Sequence, residues 1–271
     1  MNPSAWLRTA PPDVAVAIDR DHVGAVRLGG RGDRAPVAAY AIEPLPQGAV
    51  VPGLAALNMP DVPAVSSVVA RVLQQIGGRP RRVALVLPDA AAKVSLLRLA
   101  TVPARAADLQ EIVRWQVRKS APFPVEQAVL SIGDAGPAVD GGHDLVVALA
   151  REDVVRQYEQ ACLMAGAHAG LVDLSTFGVI TGLVGSGRAP AGDWLLVHVT
   201  TTSTTLAVIR GERLIFYRNR GDEGEGTLAD LIHQTAMYYE DRLQGQGFER
   251  VWLAGGSLVP SGAELVYRDL T

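Results

Sequence analysis

One order of elements occurs twice along this chain, and that duplication limits the folds open to it more than any motif does. Residues 14–18, 25–28 and 37–40 are short runs suited to strands. Helical spacing follows over about 61–76, and the run Val83-Ala84-Leu85-Val86-Leu87 closes the set. The same order returns at 195–199, 205–209 and 214–217, then in helical spacing over about 227–243 and in Val251-Trp252-Leu253-Ala254. Two such halves make an α/β fold with a cleft where they face each other, and the tight turn after each first strand can point at that cleft.

With 271 residues, 48% apolar and 20% charged, the chain has ample material for a core without staples. A net charge of -3 and a pI near 6.0 give no general drive toward nucleic acid or anionic lipid, and nucleic acid is not an expected partner. The single cysteine, Cys162, has no internal partner and lies on an apolar helical stripe, which reads as a buried thiol in a reducing compartment. No apolar run approaches the ~20 residues needed to span a bilayer, and Met1-Asn2-Pro3-Ser4-Ala5-Trp6 lacks the basic and then apolar blocks of a signal peptide. A soluble cytoplasmic protein is expected.

Between the copies, residues 82–166 read strand, strand, helix, strand, strand, helix. A helix over 106–120 places Leu109, Ile112, Val113 and Val117 on one side, with acids near its start and Arg114, Arg118 and Lys119 near its end; Pro122 stops it. A second over 153–165 carries Val154, Val155, Tyr158, Ala161, Cys162 and Ala165, and Gly166 offers a left-handed stop. Strands at 94–99, 125–132 and 145–149 complete an α+β subdomain, with a Gly-rich, mobile loop expected over 133–142. The predicted organisation is a first half over 1–81, the inserted subdomain over 82–166 and a second half over 167–271.

The order Arg82-Val83-Ala84-Leu85-Val86-Leu87-Pro88, then Val94-Ser95-Leu96-Leu97-Arg98-Leu99, then a helix ending Arg118-Lys119-Ser120-Ala121-Pro122-Phe123-Pro124-Val125-Glu126, resembles the type IV pilus assembly protein PilM family. Val146-Val147-Ala148-Leu149-Ala150, Ala165-Gly166 and Val251-Trp252-Leu253-Ala254-Gly255-Gly256-Ser257 extend the resemblance over nearly the whole chain. It implies an actin-like (ribonuclease H-like) duplicated fold with an inserted α+β subdomain, similar to the cell-division protein FtsA, in which ATP and magnesium sit between the halves. It also implies a cytoplasmic adaptor at the inner face of the inner membrane. The implied partner is the N-terminal tail of a PilN-like membrane protein, docked between the first half and the insertion; the pilus motor ATPase and self-association into a ring are further implied partners.

The family's nucleotide pattern fits these residues poorly. Its first hairpin reads Asp, any residue, Gly; here Asp19 and Arg20 are followed by Asp21, which adds charge where phosphate oxygens would lie. Its second reads Asp, any residue, Gly, Thr; here the stretch is Val197-His198-Val199-Thr200-Thr201-Thr202. The hydroxyls of Thr200, Thr201, Thr202 and Ser203 can donate to an oxyanion, or the turn is simply a β-rich corner. Gly255 and Gly256 match the adenosine-contacting element. The further subdomain that covers the nucleotide in PilM and FtsA has no room between Tyr217 and Thr227, and the chain stops at Thr271, where family members continue. ATP hydrolysis is therefore not expected, and no cofactor is expected unless the altered hairpins still hold ATP and magnesium.

Other motifs lead nowhere. Arg31-Gly32-Asp33 reads as a charged hairpin turn, and 221–226 as a flexible acidic linker. His22, His143, His168, His198 and His233 show no metal-ligand spacing, and no Gly-x-Ser-x-Gly elbow is present. For partner contact the candidates are Arg114, Trp115 and Arg118, since an aromatic beside arginines suits peptide recognition; a half-buried Trp115 at a subdomain seam is the competing reading. Alternatives to the adaptor are an actin-like ATPase or sugar-kinase-like enzyme that uses Asp19 with magnesium, a protein resembling the cytoplasmic part of the type II secretion component GspL, and an FtsA-like filament.

Overall fold

In chain order the elements are β1 (Val14–Ile18), β2 (His22–Leu28), β3 (Val37–Pro44), α1 (Val62–Gln75), β4 (Arg82–Leu87), a 3-10 turn over Asp89–Ala91, β5 (Lys93–Leu99), α2 (Ala106–Val117), β6 (Ala128–Pro137), β7 (His143–Arg151), α3 (Glu152–Met164), β8 (His168–Leu174), α4 (Ser175–Gly185), β9 (Asp193–Val199), β10 (Ser203–Arg210), β11 (Arg213–Gly221), α5 (Leu228–Leu243) and β12 (Arg250–Ala254). The structure, a computed structural model, describes residues 12–30, 35–77, 80–137, 141–221 and 227–255. Arg31-Gly32-Asp33, Gly256 and most of the acidic stretch lie outside the described residues; Gly221 ends β11.

The first compact unit holds a mixed five-stranded sheet in the order β3-β2-β1-β4-β8. Alternation in β1 buries Val14, Val16 and Ile18 and turns Ala15 and Ala17 the other way. Helix α1 starts at Asp61, whose side chain accepts the Ala64 N–H at 3.0 Å, and it buries Val65, Val68, Val69, Val72 and Leu73. Arg71 and Gln75 of the same helix reach Glu43 of β3. The opposite side of β3 is bare, with Tyr40 73% and Ile42 64% exposed. Helix α3 ends as expected at Gly166, which has φ +87° and lets the Ala167 N–H reach the Cys162 carbonyl at 3.0 Å. Cys162 is fully buried, and burial pushes its thiol up to about 12.

The second compact unit holds a four-stranded sheet, β11-β10-β9-β12, and a three-stranded sheet, β5-β7-β6. Strand β9 is buried on both faces: Leu195 and Val197 pack with Leu231, Ile232 and Tyr239 of α5, whereas Trp194 and Leu196 pack with Val179, Ile180 and Leu183 of α4. The three-stranded sheet has its own core, in which Val113 and Val117 of α2 meet Leu145, Val147 and Leu149 of β7.

Several elements differ from the sequence reading. Strand β8 and helix α4 were not anticipated. Because β8 pairs parallel with β4, it joins the first unit although it lies beyond residue 166. The units also place Asp89–Val155 with the second-half sheet, so they divide the chain elsewhere than at 81/82 and 166/167. The strand expected from 125 begins at Ala128, after a 3-10 turn over Val125–Gln127. The loop expected over 133–142 is strand as far as Pro137. There the ladder takes its irregularity between Asp134 and Gly136, where the Asp134 carboxylate accepts the Gly136 N–H at 2.7 Å.

Candidate functional site

The first hairpin turn joins β1 to β2. Its backbone closes through the Asp19 N–H to the His22 carbonyl at 3.0 Å, and the Asp19 carboxylate accepts the Arg20 N–H at 2.7 Å. Asp21 sits exposed at the tip and pairs with His22 Nδ1 at 2.6 Å. Two carboxylates thus stand within three residues of one tight turn, and Asp21 pairs with the imidazole of its own neighbour.

The corresponding turn of the second half joins β9 to β10, and Thr200 closes it. The Thr200 N–H donates to the Ser203 carbonyl at 2.9 Å, and its hydroxyl donates to the same carbonyl at 3.1 Å. That hydroxyl oxygen also accepts the N–H groups of Thr202 and Ser203, at 3.3 and 3.2 Å. The Thr202 and Ser203 N–H groups, which a bare turn would offer an anion, are thus occupied from within. Gly255, directly after β12, lies against the residue before this turn. Its φ is +123°, and a Cβ there would stand 1.8 Å from the Val199 carbonyl oxygen. Close approach does explain this glycine, and the group approached is the protein's own backbone.

Behind the turn lies a buried polar cluster that sequence reasoning missed. Asp89, 1% exposed, accepts the Thr176 N–H at 3.1 Å, the Thr176 hydroxyl, and the Thr205 hydroxyl at 2.8 Å. Burial alone would raise its carboxyl; the nearby His198 imidazole and the Thr176 donors outweigh it and hold the group below the ordinary carboxylate range. Thr176 has one hydroxyl proton, and an ionised Asp89 can only accept, so His198 Nδ1, 2.8 Å from the Thr176 oxygen, is the donor there. Asn219 completes the set by donating to Thr205 and Ser203 at 2.8 and 2.9 Å. Tyr217 lies at the edge of the cluster, where burial and then the Asp89 charge raise its phenol well above the usual value. The partners are 87 and 116 residues apart in the chain, and no spacing rule joins them. The one available signal was a histidine inside the apolar run 195–199.

The three partner candidates on α2 have different fates. Trp115 is 74% exposed, opposite the buried Val113 and Val117, so it fills no seam. Ile112, predicted on the apolar side, is 38% exposed. Arg114 turns inward and donates to the carbonyls of Val125 and Ala128, at 2.6 and 3.3 Å, tying the helix to the start of β6. Arg118 pairs with Glu126 on the surface, and the guanidinium bond holds the Glu126 carboxyl below its usual range. Among the described residues no group of three or more His, Cys, Asp or Glu is placed to hold a metal, and no helix is long and apolar enough to cross a membrane.

The family model described as type IV pilus assembly protein PilM matches residues 15–242. Among solved structures, a PilM-PilN type IV pilus biogenesis complex matches with TM-score 0.79 and 20% identity, covering 96% of this chain and 87% of that one. The cytoplasmic domain of EpsL, an inner membrane component of the type II secretion system of Vibrio cholerae, matches with TM-score 0.50 and 11% identity, over 94% of this chain and 93% of that one. A Bacteroides thetaiotaomicron protein of actin-like ATPase fold and unknown function matches with TM-score 0.51 and 7% identity, over 95% and 87%. The fold is the actin-like one.

Proposed function

Because the chain belongs to the type IV pilus assembly protein PilM family, we propose that it is a nucleotide-free scaffold of the pilus platform. It acts at the cytoplasmic face of the inner membrane and binds the cytoplasmic tail of a PilN-like membrane protein. The observation that carries the nucleotide-free part is the turn at Thr200. Its hydroxyl accepts the Thr202 and Ser203 N–H groups, and a phosphate would have to break both of those bonds to reach them. Asp21 adds a negative charge at the tip of the other hairpin, and Gly255 meets Val199. These residues do not fit ATP with magnesium.

For tail binding, the support is the likeness to a PilM-PilN complex together with Trp115, an exposed indole on the inserted subdomain with Arg118 one turn away. An uncovered aromatic of this kind is a common anchor for a peptide. Arg114 belongs to the frame that presents it.

Titration calorimetry tests both parts. The cytoplasmic tail of the PilN-like partner, as a synthetic peptide, is expected to bind the wild-type chain, and Mg-ATP is expected to give no heat. Mg-ATP binding tighter than roughly 0.1 mM, about 5.5 kcal/mol, would overturn the nucleotide-free reading. A silent tail titration with folded protein would overturn the adaptor reading.

A further inference from the structure

The inserted subdomain and the four-stranded sheet share one compact unit, yet their apolar cores are separate. The core around Leu99, Val113, Val117 and Val147 contains only residues of the insertion, and the two cores on either face of β9 contain none of them. Between the two bodies two polar clamps are visible.

The first clamp lies where the chain passes into the insertion. Asp89 opens the 3-10 turn that leads to β5, and its buried carboxylate is bonded by Thr176 of α4 and Thr205 of β10, with His198 Nδ1 of β9 at 3.5 Å. Withdrawing that charge from its donors would strand it, which proteins resist strongly. The second clamp is Arg213 at the start of β11. Its Nε donates to the Ala135 carbonyl at 2.6 Å and its Nη2 to the Pro137 carbonyl at 2.5 Å, both on β6, and Asp144 of β7 lies 3.7 Å away. Gly136 makes room for it: a Cβ there would stand 3.1 Å from Arg213 Nε. Both clamps act on the β10–β11 side of the four-stranded sheet.

We propose that these two clamps form a polar latch that makes the insertion move as one body with the four-stranded sheet, and that releasing the latch frees the insertion while leaving its own core folded. Clamps made of a carboxylate and a guanidinium can be released without unpacking either apolar core.

Spin labels at Glu111→Cys on α2 and Glu240→Cys on α5, both exposed, report the distance across the joint, and buried Cys162 is shielded from the label. The latch predicts one narrow distance distribution in the otherwise wild-type chain. It also predicts a broadened one in Arg213→Ala and a broader one again in Asp89→Asn/Arg213→Ala, with amide protection inside β7 retained. A broad distribution without the latch mutations, or a narrow one in the double variant, overturns the proposal. Should the Asp89→Asn background fail to fold, the surface variant Arg213→Ala decides alone: amide protection over β6 falling about tenfold supports the latch, and unchanged protection overturns it.

Discussion

Gly255 and Val199 touch through their backbones: a Cβ on Gly255 would lie 1.8 Å from the Val199 carbonyl oxygen and 2.7 Å from its carbon. Gly255→Ala must therefore push β12 off the end of β9 while also holding a left-handed φ of +123°. Strain and overpacking together predict a loss of about 3 kcal/mol in urea unfolding. A loss below about 0.5 kcal/mol would mean that the close approach is not built into the fold. Since the cost arises without any ligand, this glycine is not by itself a sign of nucleotide.

Trp115 and Arg114 are adjacent in sequence and opposite in role. Trp115→Ala removes an exposed ring, so stability is expected to stay within about 0.5 kcal/mol while affinity for the partner tail falls tenfold or more. Arg114→Ala removes two bonds to the backbone of the following segment and is expected to cost about 1–2 kcal/mol of stability. Denaturation curves beside tail titrations separate the two; equal tail binding by Trp115→Ala would remove Trp115 from the interface.

The duplicated order of elements was legible in the sequence because each strand of the repeat is a short apolar run and each helix carries a regular stripe. Asp61 capping α1 and Gly166 ending α3 stand where their chemistry requires. Helix α4 was hidden because Ser175-Thr176-Phe177-Gly178-Val179-Ile180-Thr181-Gly182 mixes glycines with β-branched residues, all weak helix formers. Its helicity comes from tertiary packing of Val179, Ile180, Leu183 and Val184 beneath the four-stranded sheet. Strand β8 was hidden for a related reason, since Gly170 interrupts its run and parallel pairing with β4 supplies what propensity does not. Of the candidate site, the substitutions at Asp21 and His198 were readable. The inward turn of the Thr200 hydroxyl and the burial of Asp89 arise only when distant segments meet.

Asp193 lies between Arg210 and Tyr239, accepting from Arg210 Nη2 at 2.7 Å and from the Tyr239 hydroxyl at 2.6 Å. Burial opposes the charge, but those donors hold the carboxyl below the ordinary Asp value. A carboxyl lowered on folding adds stability that is fully present above its unfolded value, about 3.9, and is lost as pH falls through the folded one. Asp193→Asn is expected to cost about 1–2 kcal/mol at pH 7, discounted for the partly exposed Arg210, and to flatten the acid limb below about pH 4. Thermal unfolding against pH for both proteins checks this, and parallel acid limbs would show that Asp193 is not lowered by folding.

β3 is an edge strand whose outward side carries Tyr40 and Ile42, and along its length Glu43 is the one charge. Edge strands with bare apolar sides pair with other chains unless a charge interrupts them. Ile42 faces solvent at 64% exposure, so a lysine there needs no new cavity and leaves the buried Ala41 side undisturbed. Ile42→Lys is expected to keep stability within about 0.5 kcal/mol and to lower concentration-dependent light scattering relative to wild type. If scattering is unchanged, the β3 edge is not what brings copies of this chain together, and any association must run through another face.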